Sequence, residues 1–180
     1  EPGMEGTYPE LLLDGIAPHL PAKLEADMPK ISAPLDWLGV NYYTRKKVKA
    51  APGQWPNYSF VETDADKTQM GWDIYADGLS ETLGWLQTDY IGDLPVYITE
   101  NGMAWEETPG HDDPERWHYL LTHINATKKA MEDGCNIQGY FYWSLLDNFE
   151  WAFGYEKRFG MVHVDFESQE RTPKSSYWAY

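Results

Sequence analysis

Leu94-Pro95-Val96-Tyr97-Ile98-Thr99-Glu100-Asn101-Gly102 sets an apolar run against a lone carboxylate and an Asn-Gly pair. A short run of β-branched and aromatic residues entered after a proline predicts a buried strand over 96–99, and Asn-Gly predicts a tight turn closing it. Glu100 then stands at the strand's C-terminal tip, rigidly held yet within reach of a substrate. Upstream, Leu79, Leu83, Leu86 and Tyr90 recur three or four residues apart, so 76–90 reads as an amphipathic helix stopped by Gly92 and Pro95. Downstream, Trp117, Leu120, Leu121, Ile124 and Met131 form the stripe of a helix over 113–131, opened by acidic residues and Pro114 and ended by Gly134. Apolar and aromatic runs at 35–43 and 137–143 supply two further strands, and 8–20 a short helix with Leu11, Leu12, Ile16 and Leu20 on one face. The polar, Pro-containing stretch 46–70 reads as a long loop, a length uncommon unless functional, and is expected at a substrate rim. A last helix begins shortly before Tyr180. This alternation of helix and strand predicts a parallel sheet with crossover helices.

Of 180 residues, 29 are acidic and 14 basic, giving a formal net charge of -15. Such a surface repels nucleic acid and anionic membranes and favours neutral partners. No apolar run approaches the length of a membrane span, and the first six residues have neither the basic flank nor the apolar stretch of a signal peptide, so a cytoplasmic chain is expected. The single cysteine, Cys135, precludes an internal disulfide and fits a reducing compartment. His19, His111, His118, His123 and His163 show no ligand spacing, so neither a metal nor another cofactor is expected.

Aromatic residues make up 16% of the chain, more than a core alone demands, and they crowd the stretch 139–160, GYFYWSLLDNFEWAFGYEKRFG. A second lone acid, Glu150, lies there between Phe149 and Trp151. Flat aromatic faces pack against the C–H faces of a pyranose, while carboxylates and amides take its hydroxyls in charge-assisted hydrogen bonds. Together with Glu100 this predicts carbohydrate chemistry at strand ends. A non-catalytic sugar-binding or interaction half-barrel carries the same aromatic cluster, as does an inactive fragment, and both readings stand beside the catalytic one.

Tyr97-Ile98-Thr99-Glu100-Asn101-Gly102, then Tyr142-Trp143-Ser144-Leu145-Leu146-Asp147-Asn148-Phe149-Glu150-Trp151, then Lys157-Arg158-Phe159-Gly160 occur in this order, preceded by Asp36-Trp37-Leu38-Gly39-Val40-Asn41-Tyr42-Tyr43-Thr44. Across the whole chain these motifs resemble the C-terminal part of a family 1 glycoside hydrolase, a retaining β-glucosidase. The resemblance implies an α/β fold: about strands six to eight of a (βα)8 TIM barrel, with residues 1–180 a single C-terminal segment, incomplete alone because a whole barrel needs about 200 to 250 residues. It implies hydrolysis of β-glucosides or cello-oligosaccharides at terminal non-reducing β-D-glucosyl residues. Glu100 matches the nucleophile, and Tyr43 its hydrogen-bond donor. By the same resemblance Asn41, Trp143, Glu150 and Trp151 hold the glycone, Phe159 buttresses it, and Trp72 in Met70-Gly71-Trp72 walls the aglycone side. Asn41 and Tyr43, two apart on one strand, point to one side, and Tyr42 faces the helices. The family's acid/base lies in a Thr-x-Asn-Glu-Pro stretch, and no Asn-Glu-Pro occurs here. The expected partner is therefore a complementary N-terminal barrel portion carrying that glutamate. In the family's phosphoglucosidase branch a small residue and a cationic pair replace the acid and Trp, so Glu150 implies unphosphorylated glycosides.

Overall fold

The structure, a computed structural model, describes residues 2–53, 55–106 and 109–180, without the side chains of Pro2, Leu11, Asp14 and Pro109. The place expected for Leu11 on an apolar stripe thus lies outside the described residues. Three short helices, α1 (Pro2–Glu5), α2 (Glu10–Ile16) and α3 (Leu24–Ile31), precede β1 (Leu38–Asn41). The helix expected over 8–20 is shorter, because at Ala17–His19 the chain tightens into a 3-10 turn whose Pro18 has no N–H to continue the ladder. The expected loop at 46–70 is corrected in part. It contains a hairpin of β2 (Val48–Ala50) and β3 (Tyr58–Phe60), whose register pairs Val48 with Phe60 and Ala50 with Tyr58.

Next come α4 (Asp77–Leu86), running on as a π turn at Gln87–Ile91, then β4 (Val96–Asn101), α5 (Pro114–Glu132) and β5 (Ile137–Tyr142). A hairpin of β6 (Val162–Val164) and β7 (Arg171–Pro173) leads to α6 (Ser175–Ala179). β1, β4 and β5 form one parallel sheet in that order, as the alternation predicts. Alternate residues divide between its faces. Val40, Tyr42, Val96, Ile98 and Ile137 are buried with Leu79 and Leu83 of α4 and Ala126 and Ala130 of α5. On the other face Trp37, Tyr97, Thr99 and Phe141 line an open cleft of about 650 Å3 with Trp143 and Leu145. This sheet with its crossover helices is part of a TIM barrel. Among the described residues no helix is long and apolar enough to cross a membrane.

The face of α5 is a second correction. Leu120 is buried, but Trp117, Leu121, Ile124 and Met131 are exposed, and the buried row is Arg116, Tyr119, His123, Ala126, Thr127 and Ala130. Its polar members find partners close by. Arg116 pairs with Asp113 and donates to the Arg158 carbonyl at 2.9 Å, while Thr127 donates to the His123 carbonyl at 2.9 Å. These bonds offset much of the burial cost, although Arg116 Nε and His123 Nε2 stay buried without a partner, so hydrophobicity alone picks the wrong side.

Candidate active site

β1 and β4 do not pair evenly. Val40 faces Ile98 but Asn41 faces Glu100, so β4 carries one extra residue, a bulge that re-aims the side chains beyond it. The Tyr42 N–H then donates to the Glu100 carbonyl at 2.9 Å. The Tyr43 hydroxyl donates to Glu100 Oε2 at 2.7 Å. Burial, the bond to Glu100 and that residue's charge together push the Tyr43 phenol well above its ordinary pKa, so it stays a donor. Asn41 sits on the same open side, where its Oδ1 accepts from Thr99 Oγ1 at 2.7 Å, and its own side chain is exposed.

The tight turn expected at Asn101-Gly102 is not found. β4 continues through Asn101, whose carbonyl accepts from the Trp143 N–H at 2.9 Å. Glycine is needed at 102 for a different reason: a Cβ there collides with the Trp143 carbonyl oxygen.

Around Tyr43 three rings meet. Trp72 lies edge-on at 5.5 Å between centroids, Phe159 at 6.2 Å, and these two are 6.2 Å from each other. Phe159 is buried. Trp72 is held through its neighbour Asp73, which accepts from Lys67 and Thr63 at 2.7 Å each and from Arg45 at 3.4 Å. The Lys67 and Thr63 hydrogen bonds, in that order, bring the Asp73 carboxyl down to about 2 despite its low exposure.

Glu150 rides on the long loop between β5 and β6. The foot of that loop is tied by backbone bonds, Met161 N–H to the Ser144 carbonyl at 3.0 Å, Val162 N–H to Leu145 at 2.9 Å, and Asp147 N–H to Val162 at 3.0 Å. The Asp147 side chain, wholly buried, gathers Arg158 at 2.8 Å, Lys174 at 3.1 Å and the Gly160 N–H at 2.9 Å. Gly160 has no room for a side chain, because a Cβ would strike the Asp147 backbone. Within the loop Glu150 donates its N–H to Gly154 at 2.7 Å and is half-buried. Burial first, and then the charge of Glu100, raise the Glu150 carboxyl above its ordinary pKa.

The fold therefore gathers Glu100, Tyr43, Trp72 and Phe159 by contact and brings Glu150 within their electrostatic reach. Trp143 lines the open cleft beside Thr99. Trp151 stands apart, 81% exposed. Sequence reasoning passed over the contacts of Asp73, which the flanking Trp72 and Ile74 mark as a polar residue in an apolar setting, and those of Asn101 and Asp147, whose partners lie in distant segments. Among the described residues no three His, Cys, Asp or Glu side chains form a metal site.

A carboxylate at a barrel-strand tip, a phenol donating to it, a second acid nearby and an aromatic wall define a partial TIM barrel of the glycosidase kind. The pattern of glycosyl hydrolase family 1 matches residues 1–180. The chain is 44% identical to a β-glucosidase A of Thermotoga maritima, over 98% of its own length and 41% of that protein's. It is 43% identical to a 1,4-β-D-glucan glucohydrolase of Thermotoga neapolitana, over the same shares of each. A solved structure of the Thermotoga maritima β-glucosidase in complex with castanospermine superposes with a TM-score of 0.91 at 43% identity, covering 98% of this chain and 41% of that one. The chain belongs to glycosyl hydrolase family 1, and it spans about two-fifths of the length of these relatives.

Proposed function

We propose that this chain is the part of a retaining β-glucosidase that carries the nucleophile and most of the glycone pocket. Glu100 attacks the anomeric carbon, and a glutamate from a complementary barrel portion, roughly 5 to 5.5 Å away, protonates the leaving oxygen and then activates water. Residues 1–180 act as one segment of the barrel domain, and the complementary portion docks on the open cleft above Trp37, Tyr97 and Phe141. The observation that carries this reading is the 2.7 Å bond from Tyr43 to Glu100 at the tip of β4. A phenol that stays protonated favours the ionised carboxylate a nucleophile must be. Trp143 serves as the glycone platform, Glu150 takes two sugar hydroxyls, Trp151 and Asn41 donate to others, Phe159 backs the pocket and Trp72 faces the aglycone. The acid at Glu150 disfavours a phosphorylated sugar, so β-glucosides and cello-oligosaccharides are the substrates.

The test is Glu100→Ala in the barrel completed by its complementary portion, with an aryl β-glucoside as substrate. Turnover is expected to fall by at least about 1,000-fold with assembly intact, and added azide or formate should restore part of it. Near wild-type turnover without either anion would remove Glu100 from the nucleophile's role.

A further inference from the structure

Asn101, next in sequence to Glu100, is fully buried on the opposite side of the sheet, and all of its amide hydrogen-bonding groups are engaged. Its Nδ2 donates to the Tyr42 carbonyl of β1's end at 2.7 Å and to the Tyr119 hydroxyl of α5 at 3.0 Å. Its Oδ1 accepts from the Tyr140 hydroxyl of β5. Tyr119 donates onward to the Tyr43 carbonyl at 3.2 Å. The two carbonyls at the ends of this chain of bonds belong to the peptide units on either side of the Tyr43 Cα.

We propose that Asn101, Tyr119 and Tyr140 form a positioning cluster that sets the Tyr43–Glu100 hydrogen bond from behind the sheet. The proposal rests on the reading of Glu100 as nucleophile. Both partners of that bond are tethered to one buried amide, Glu100 through its own peptide bond to Asn101, and Tyr43 through the two peptide units around it. Burying an amide and two phenols where aliphatic side chains could pack has a desolvation cost that full pairing offsets, and what such a network adds is orientation. Burial raises both phenols, so Tyr119 and Tyr140 remain donors at any working pH. Hydrogen bonds weaken steeply with misalignment, and one to a charged acceptor more than most. Loosening the cluster lets Tyr43 drift and leaves the Glu100 carboxylate without its aligned donor.

A double-mutant cycle in the completed barrel tests this, reading kcat and KM separately for an aryl β-glucoside. Tyr119→Phe deletes the hydroxyl and keeps the ring. It should lower kcat about 5- to 20-fold and leave KM within about twofold. In a Tyr43→Phe background the same change should cost less than about twofold, since the bond it protects is already gone. Tyr140→Phe, which frees Asn101 Oδ1, repeats the cycle should Tyr119→Phe fail to fold. Equal losses in both backgrounds, or an unchanged kcat, would reduce the cluster to a stability element and overturn the proposal alone. A Glu100→Ala barrel that stays active overturns both this proposal and the nucleophile reading.

Discussion

The two faces of the β1–β4–β5 sheet are built from the same strands, whose alternation breaks at the register shifts beside Gln138 and Glu100, and end in opposite states. On one, Val96, Ile98 and Ile137 are sealed under α4 and α5. On the other, Trp37 and Phe141 remain 52% and 55% exposed above an open cleft. Aromatic surface left in water on this scale marks a face made to be covered. The sealed face supplies the segment's own stability, and on the proposed function the open face carries its chemistry. Neighbouring residues are split between the two, with Glu100 directed to the open side and Asn101 to the sealed one.

The sealed face is the place to break this contrast hardest. Leu83→Ala leaves a cavity under the sheet and should destabilise the completed barrel by about 2 to 5 kcal/mol in urea denaturation, while turnover per folded molecule holds. A loss under about 1 kcal/mol would mean that stability comes from elsewhere.

Glu150→Ala probes the catalytic side. It should lower kcat/KM for a glucoside by about 30- to 1,000-fold, roughly 2 to 4 kcal/mol, with folding unchanged. A 4-deoxy or 6-deoxy glycoside should lose far less between the two proteins, because the contact is already missing. An equal penalty for parent and deoxy substrates would assign Glu150 to the loop and not to the sugar.

His123 offers a pH handle on the sealed face. It is fully buried, stacked on Tyr119 at 3.8 Å between centroids, and burial lowers its pKa to about 4. Between that value and the unfolded one near ~6.5 the unfolded chain binds a proton that the folded chain refuses. Its contribution is therefore complete above about pH 6.5 and lost as pH falls toward 4, up to about 3 kcal/mol. Melting temperatures across this window should show the slope, and His123→Gln should flatten it.

The smallest effect is expected from Phe141→Ser on the open face. It should change the stability of the chain alone by under about 1 kcal/mol, yet reduce the self-association that an uncovered face and open strand edges promote, as read by sedimentation. A larger loss of stability would show that this face is already packed in the segment by itself.

The parallel sheet was legible because Val96, Ile98, Leu79 and Leu83 carry the periods of strand and helix openly. The contact of Tyr43 with Glu100 was legible from the place of both at strand ends and from the motifs around them. The buried row of α5 was not, since Arg116, His123 and Thr127 read as surface residues, while in the structure Arg116 reaches the Arg158 carbonyl and the other two bond to carbonyls one turn back on α5. The β2–β3 hairpin escaped notice because strands of three residues are too short for a periodic signal. Gly102 reads as a turn residue for want of the Trp143 carbonyl that crowds it, a contact no local pattern contains. Asn101 and Asp147 were overlooked for the same reason, as their partners come from distant segments.

The ties at the foot of the loop between β5 and β6 make the stretch from Asn148 to Lys157 a cassette. Its two ends are stapled to one another through Ser144, Leu145, Asp147, Met161 and Val162, so the chain between them starts and finishes at one fixed point. Lengthening such a stretch is inexpensive, about 0.6 kcal/mol for each doubling. Glu150 and Trp151 both lie inside it, so exchanging one contiguous piece replaces both, while the strand that bears Glu100 inherits its geometry unaltered.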